Sequence, residues 1–371
     1  MTQQTNLALK KLQGIKPHGS RSQERSLKVG YLINLLESFL DDSELIKPIE
    51  WFSEKTLIKN YLELYPKVES KLNNFEFDEK DLSLFVRSVS DVNIEELGFG
   101  TPGFEDQKTR FALRGLFSGT LLDLLTTRNN SKGKQTKVSI DFEGYSFPFL
   151  FCYARFVDEL TIRNANGHAI CQGIGSLDGK INSLGLFNTD IWLSFAGNKS
   201  SPIDRCIISS KHNNSFHYLT YKSCFFNELW VVDSYPTKVQ EWLQSKRDIR
   251  HDTDFIKLDV HSIWILNSTL HCLGFRCFNK QIDNLFLVNN GFNYGTTSLV
   301  GLPQIDEVVI YDELKRPITI NPLKAKNILW NESALDKYGL VIELAKTLDA
   351  KNPKLLYSKI DQIKELYGNK K

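Results

Sequence analysis

The stretch QIDNLFLVN (281–289) is one copy of a nine-residue phrase that occurs seven times between Phe156 and Asp312. The phrase reads x-Φ-polar-x-Φ-x-Φ-x-polar, where Φ is an apolar residue. The other copies are FVDELTIRN (156–164), KINSLGLFN (180–188), PIDRCIISS (202–210), FFNELWVVD (225–233), DVHSIWILN (259–267) and QIDEVVIYD (304–312). Successive copies begin 24, 22, 23, 34, 22 and 23 residues apart. A repeat at this period is typical of a solenoid, in which each unit buries its apolar face by stacking on the next.

Within each phrase the apolar fifth and seventh positions alternate with other residues, as a β-strand requires. These positions predict the inward columns of a parallel sheet. The ninth position is Asn, Asp or Ser in every copy, which predicts a turn and a ladder of polar side chains between coils. A second apolar patch follows each phrase, such as HAIC (168–171) or LHCLGF (270–275). We therefore predict an α+β protein built on a parallel β-helix of about seven coils, with two strands in each coil.

The pattern Ile-x-x-Leu-x-Leu also resembles the strand of leucine-rich repeats, and QIDNLFLVNNGF…SLVGLP (281–303) resembles a whole unit of that family. The resemblance implies an Asn at the ninth residue counted from the first apolar one. Asn290 obeys this rule, whereas Ala165, Thr189 and the corresponding residues of the other copies do not. A leucine-rich horseshoe is therefore the runner-up fold, and it shares with the β-helix a parallel sheet with regular outward columns.

The repeats are flanked by segments whose apolar spacing is helical. We predict four regions: a basic flexible arm (1–26), a helical domain (27–135), the solenoid (136–320) and C-terminal helices (321–371). One helix is expected to begin at Leu27, and another spans about 53–65 and is ended by Pro66. The remaining helices are expected at about 79–89, 107–127, 332–349 and 353–367. Strands are expected at VSIDF (138–142) and FPFLFCYA (147–154). The C-terminal helices form a cap for the last coil.

Composition limits the partners and the compartment. The 371 residues carry 46 basic and 44 acidic side chains, a net charge of +2, so no global field draws the chain to nucleic acid or to an anionic membrane. Neither a membrane-spanning stretch nor a signal peptide is recognisable, and we expect a cytoplasmic protein. The six cysteines contain no CxxC pair. This favours reduced, buried thiols.

The outward columns carry the most informative side chains. Trp230, Trp264 and Phe286 occupy the sixth phrase position in neighbouring copies, so they are expected to stack one coil apart, about 4.8 Å between strands. Two interpretations are open. Either the terminal helices cover these aromatic rings, or the rings anchor a protein partner or a second subunit.

A second candidate surface lies in the long spacing after the fourth phrase. The insertion PTKVQEWLQSKRDIRHDTDF (236–255) predicts a helix that carries Arg247, Arg250 and His251. It is either a solvated helix on the solenoid wall or a basic contact for phosphate or an acidic partner. Together with the basic arm, these residues make nucleic acid a possible partner, whose binding should weaken steeply with salt.

Catalytic signatures are weak. Asn188-Thr189-Asp190 resembles the first motif of polygalacturonases, which implies aspartates that activate water, but the paired Asp-Asp and the Arg-x-Lys that the family has on the following coils are absent there. The match to GxGxxG at residues 98–103 follows no strand, and the histidines form no zinc pattern. We predict no catalytic residue, metal or cofactor. The expected function is non-enzymatic binding of a protein or nucleic acid, with a carbohydrate-active lyase or hydrolase and a structural homo-oligomer as alternatives.

Overall fold

The computed structural model describes residues 20–42, 54–90, 104–167, 169–189, 196–198, 200–209, 224–234, 258–270, 281–289, 291–292, 304–314 and 325–370. The helices of this part are α1 (Ser20–Leu40), α2 (Glu54–Leu72), α3 (Glu79–Ser88), α4 (Phe104–Ser131), α5 (Glu332–Lys346) and α6 (Pro353–Gly368). Its strands are β1 (Lys137–Asp141), β2 (Phe156–Arg163), β3 (Lys180–Phe187), β4 (Ile203–Ser209), β5 (Cys224–Val232), β6 (Leu258–Leu266), β7 (Thr269–Leu270), β8 (Gln281–Val288), β9 (Gly291–Phe292), β10 (Gln304–Tyr311) and β11 (Ala325–Trp330).

Nine strands form one sheet in the order β1-β2-β3-β4-β5-β6-β8-β10-β11, and every neighbouring pair is parallel. The seven phrases supply β2, β3, β4, β5, β6, β8 and β10, which confirms the predicted α+β parallel β-solenoid. The solenoid makes about five turns, slightly fewer than the seven coils expected. Strand β11 extends the sheet beyond residue 320, where the sequence had placed the end of the solenoid.

The inward columns are those that the phrase predicts. Leu160 is in register with Leu184, which is in register with Cys206, and all three are buried. These side chains belong to one apolar cluster that runs from helix α1 through the solenoid interior as far as Ile310. The helical N-terminal part and the solenoid therefore share a hydrophobic core.

The second side of the coils is less regular than predicted. A second parallel sheet, in which β7 pairs with β9, is present as in a β-helix. The predicted strand 147–154, however, is a series of turns in which Phe149, Phe151 and Tyr153 have positive φ. Ala169 and Cys171 repeat this conformation one coil later. Bonds between the two coils stabilise it, because the Cys171 N–H donates to the Leu150 carbonyl at 2.8 Å and the Tyr153 N–H donates to that of Gln172 at 2.9 Å.

The polar ladder predicted at the ninth position is present in the first coils. Asn164 and Asn188 both have φ near 50°, a conformation that Asn tolerates better than most residues. The Asn188 side-chain amide donates to the Asn164 side-chain oxygen at 2.8 Å, and the Asn164 amide donates to Asp141 at 2.8 Å. These bonds tie the turns of successive coils together.

Two helix boundaries differ from the prediction. Helix α1 begins at Ser20, inside the segment expected to be a flexible arm, and its Arg25 pairs with Asp78 and Asp81 at 2.8 and 2.9 Å. Helix α2 continues through Pro66 to Leu72. Burial of Val68 and Leu72 beyond the proline offsets the roughly 3 kcal/mol that an interior proline costs.

Candidate functional site

The predicted aromatic anchors lie beneath the C-terminal helices. Trp230 and Trp264 stack with ring centroids 4.5 Å apart, and Phe286 continues the stack at 4.6 Å. Their cluster includes Tyr338 of α5 and Tyr367 of α6, whose ring meets Trp264 edge-on at 5.2 Å. All three predicted anchors are buried. The chain's own helices therefore cover the stripe, and these rings are core rather than an exposed binding face.

The cover also reaches the first repeat, at Thr161 of β2. The Tyr357 hydroxyl of α6 lies 3.2 Å from the Thr161 hydroxyl. Ion pairs hold the middle of α6, because Asp361 pairs with Arg205 at 2.7 Å and Lys364 pairs with Glu228 at 2.6 Å. The outer face of the sheet is thus closed from β2 to β10 by contacts that are both apolar and ionic.

A buried carboxylate joins the helical part to the first full coil. Asp123 of α4 accepts from the backbone N–H groups of Arg155 at 2.5 Å and Phe156 at 2.8 Å. It also accepts from Arg155 Nε at 2.8 Å and from the Tyr61 hydroxyl. The Arg155 guanidinium lies 4.2 Å from the centroid of the Tyr65 ring. Burial raises the pKa of Asp123, while its hydrogen bonds act in the opposite direction.

A second buried carboxylate lies near the other end of the solenoid. Glu307 of β10 accepts from Lys337 Nζ at 2.7 Å, Asn327 Nδ2 at 3.1 Å and the hydroxyls of Tyr338 at 2.5 Å and Tyr367 at 3.2 Å. Burial acts to raise the pKa of Glu307, but the hydrogen bonds outweigh it and the pKa lies below its usual value. Each of the two carboxylates has four donors. Neither offers a vacant acceptor position for the proton of a substrate.

The two ends of the inward columns differ in exposure. Val138 of β1 and Ile328 of β11 are the terminal residues of one column, since Val138 is in register with Leu160 and Ile328 with Val308. Val138 is 1% exposed, whereas Ile328 is 46% exposed. Helix α3 packs on β1 at the first end. At the last end the C-terminal helices, which were predicted to cap the last coil, lie over the outer face of the sheet instead. The apolar interior of the solenoid therefore reaches the surface at Ile328, and this open end is the candidate site.

The open end is a strand edge with few charges. Strand β11 pairs with β10 on one side, and within the described residues no strand pairs with its other side. Lys326 is bound to Asp306 at 2.7 Å, and Asn327 donates to Glu307. Unpaired edges of this kind are templates for added strands. The sequence contains a signal for β11, because KAKNILWNE (324–332) repeats the phrase with Ala325, Ile328 and Trp330 at its apolar positions.

The other predicted residues do not form a site in the described structure. Arg247, Arg250, His251, Asp190 and the 98–103 segment lie outside the described residues. Thr189 is buried and its hydroxyl donates to the Phe187 carbonyl at 3.0 Å, which is turn chemistry. Across the described ranges, no group of three or more His, Cys, Asp or Glu could hold a metal ion. No helix in those ranges is long and apolar enough to cross a membrane.

The cysteines follow the prediction as far as they are described. Cys152, Cys171, Cys206 and Cys224 are fully buried, and burial raises the pKa of the Cys152, Cys171 and Cys206 thiols. Cys272 and Cys277 lie outside the described residues.

Comparisons with protein-family models, with curated proteins and with solved structures found no match to this chain.

Proposed function

We propose that this chain is a non-enzymatic interaction protein whose solenoid docks a protein partner at the open end. The observation that carries the proposal is the exposure of Ile328, 46% against 1% for Val138 at the other end of the same column. An apolar column that ends in solvent, beside an edge to which no described strand is paired, is stabilised when another protein covers it. The partner would supply an extended segment or an apolar cap.

The charges of the described surface favour a protein partner over nucleic acid. A nucleic-acid site needs a surplus of positive charge on one face. Here many described cations lie beside carboxylates: Lys132 by Glu76, Lys134 by Glu79, Lys137 by Glu159, Arg87 by Glu143, Arg163 by Asp141 and Lys346 by Glu313. Binding of nucleic acid through the basic arm (1–26) or the 236–255 insertion stays a prediction from the sequence.

The two buried carboxylates hold packed elements together. Asp123 and Glu307 are each held by four donors, an arrangement that stabilises packing rather than proton transfer. The carbohydrate-active alternative needs carboxylates that face a groove, and nothing in the described residues favours it. We place the binding role in the cytoplasm, because Cys152, Cys171 and Cys206 are buried thiols in the described structure.

The proposal is tested by affinity capture from an extract of the producing cells. The baits are the wild type, Ile328→Lys at the open end, and the matched control Leu62→Lys, which also charges an exposed apolar residue but on α2. An inward-pointing lysine blocks strand addition at an edge. We expect one set of proteins to be retained by the wild type and the control and lost with Ile328→Lys. Capture that is the same for all three baits contradicts the proposal.

A further inference from the structure

The two sides of strand β11 present different backbone groups. The Asn331 N–H donates to the Ile310 carbonyl of β10 at 2.9 Å, so Asn331 and Leu329, two residues earlier, face β10. Trp330 faces away, because its N–H donates to the Ser333 hydroxyl at 2.8 Å and its carbonyl accepts from that hydroxyl at 3.1 Å. Ile328 shares this orientation by alternation. The outer edge therefore presents the backbone of Ile328 and Trp330.

We propose that the occupant of this edge is a second copy of the chain, whose own β11 adds in antiparallel orientation about a two-fold axis at Leu329. The inference rests on the proposed function, since it names the partner of the open end. In this register Ile328 of one copy lies opposite Trp330 of the other, and both present their N–H and carbonyl outward. Such residues exchange both backbone hydrogen bonds. The two-fold axis generates the same pair of hydrogen bonds between Trp330 of the first copy and Ile328 of the second, so the interface is isologous.

The side chains fit this register as well as the backbone does. Opposite residues of an antiparallel pair lie on the same face of the sheet. Ile328 and Trp330 both continue inward columns, in register with Val308 and Ile310, so their pairing joins the interiors of the two solenoids. Leu329 meets Leu329 on the axis. A shift by two residues in either direction keeps the hydrogen-bond pattern but places Leu329 opposite an asparagine, Asn327 or Asn331.

The charges at the ends of the strand favour the antiparallel orientation. Lys326 is the second residue of β11, and Glu332 lies two residues beyond its last residue, Trp330. Antiparallel pairing brings Lys326 of each copy to the end where Glu332 of the other copy lies. Parallel pairing would instead align Lys326 with Lys326, and like charges placed opposite each other destabilise a strand pair.

Ser333 occupies part of the edge in the single chain. Its hydroxyl satisfies both backbone groups of Trp330, and its side chain is exposed. When a second copy pairs with Trp330, this hydroxyl returns to water. Removal of the hydroxyl leaves the Trp330 groups without this intramolecular partner and should favour association. We therefore expect Ser333→Ala to lower the dissociation constant of the dimer by about threefold or more, as for a change of about 0.7 kcal/mol.

The decisive experiment is oxidative cross-linking of two cysteine variants. Leu329 lies opposite itself in a pair that makes no direct hydrogen bonds, where Cα atoms are about 4.5 Å apart, a distance that a disulfide spans. The two Ile328 residues are offset along the strand, with Cα atoms about 8 Å apart, which is too far. We expect Leu329→Cys to form a covalent dimer under mild oxidation. Ile328→Cys should form no more covalent dimer than the wild type, whose native cysteines set the background.

Sedimentation of the wild type and of Ser333→Ala completes the test. A mass that rises with concentration and rises earlier in Ser333→Ala supports the proposal. A wild type that stays monomeric, or cross-linking that is equal in both cysteine variants, overturns the two-fold arrangement. If that happens while Ile328→Lys still loses a captured protein, the open end docks a different protein and the proposed function stands. If Ile328→Lys also captures the same proteins as the wild type, both the two-fold arrangement and the proposed function are wrong.

Discussion

The two ends of this solenoid close in different ways although one repeated phrase builds the whole sheet. At the first end, α3 and α4 pack on β1 and β2, and the terminal inward residue Val138 is buried. At the last end, β11 leaves Ile328 half exposed. Each end has a buried carboxylate with four donors, Asp123 at the first and Glu307 at the last. The repeat thus specifies the sheet, while the residues outside the repeat decide which end stays exposed.

The largest effect is expected at the closed end, from Asp123→Asn. The variant keeps the shape of the side chain but removes the charge that balances Arg155, and it turns an amide toward the N–H of Phe156. Loss of one partner of a buried ion pair costs about 3–5 kcal/mol. The free energy of unfolding, measured by urea titration, should fall by that amount.

Asp336→Asn is the matched control, because Asp336 is exposed on α5, and surface changes of this type stay within about 0.5 kcal/mol. A loss of less than about 1 kcal/mol for Asp123→Asn would mean that the closed end does not depend on this cluster. The comparison between the ends would then rest on apolar packing alone.

The sheet was predictable from the sequence because its signal is local and repeated. Apolar residues at the fifth and seventh positions, such as Leu285 and Leu287, suffice to indicate a buried strand face. The same local rule was wrong at 147–154, where alternating apolar residues suggested a strand. There Phe149 and Phe151 take left-handed conformations, stabilised by hydrogen bonds to a coil about 20 residues later. Such contacts between distant residues leave no local pattern.

The second prediction concerns the open end and pH. Glu307→Gln should lower the free energy of unfolding at pH 7 by about 1.5–3 kcal/mol, the range for hydrogen bonds to a charged group. Because the pKa of Glu307 is lowered in the folded state, its stabilising effect is present above the pKa of the unfolded chain. It is lost as pH falls through the folded pKa. The difference between wild type and variant should therefore shrink as pH falls below about 4.

Urea titrations at pH 7 and at successively lower pH measure this difference. Glu365→Gln serves as the control, since Glu365 is an exposed acid on α6, and its effect should be small at every pH. A difference for Glu307→Gln that stays constant as the pH falls would contradict the direction of the pKa shift. The cluster would then hold β11 through shape rather than charge.

The candidate site was harder to predict than the fold. The aromatic column of Trp230, Trp264 and Phe286 was visible in the sequence, but its cover depends on helices up to about 100 residues away, so both interpretations stayed open. Strand β11 was missed because Ala325 is a weak apolar signal at the second phrase position. In addition, its phrase follows the preceding copy at a shorter spacing than the other copies do. Its exposure depends on what packs against it, which no local pattern records.

The smallest effect is expected at the open end itself, and it measures directly how open that end is. Ile263 and Ile328 lie in one inward column, but Ile263 is 1% exposed. Ile263→Ala should cost about 2–5 kcal/mol in the free energy of unfolding. Ile328→Ala, measured where the chain is monomeric, should cost about 1 kcal/mol or less, because half of its side chain is already in water. Equal losses would mean that the last coil is covered in solution, and the contrast between the two ends would disappear.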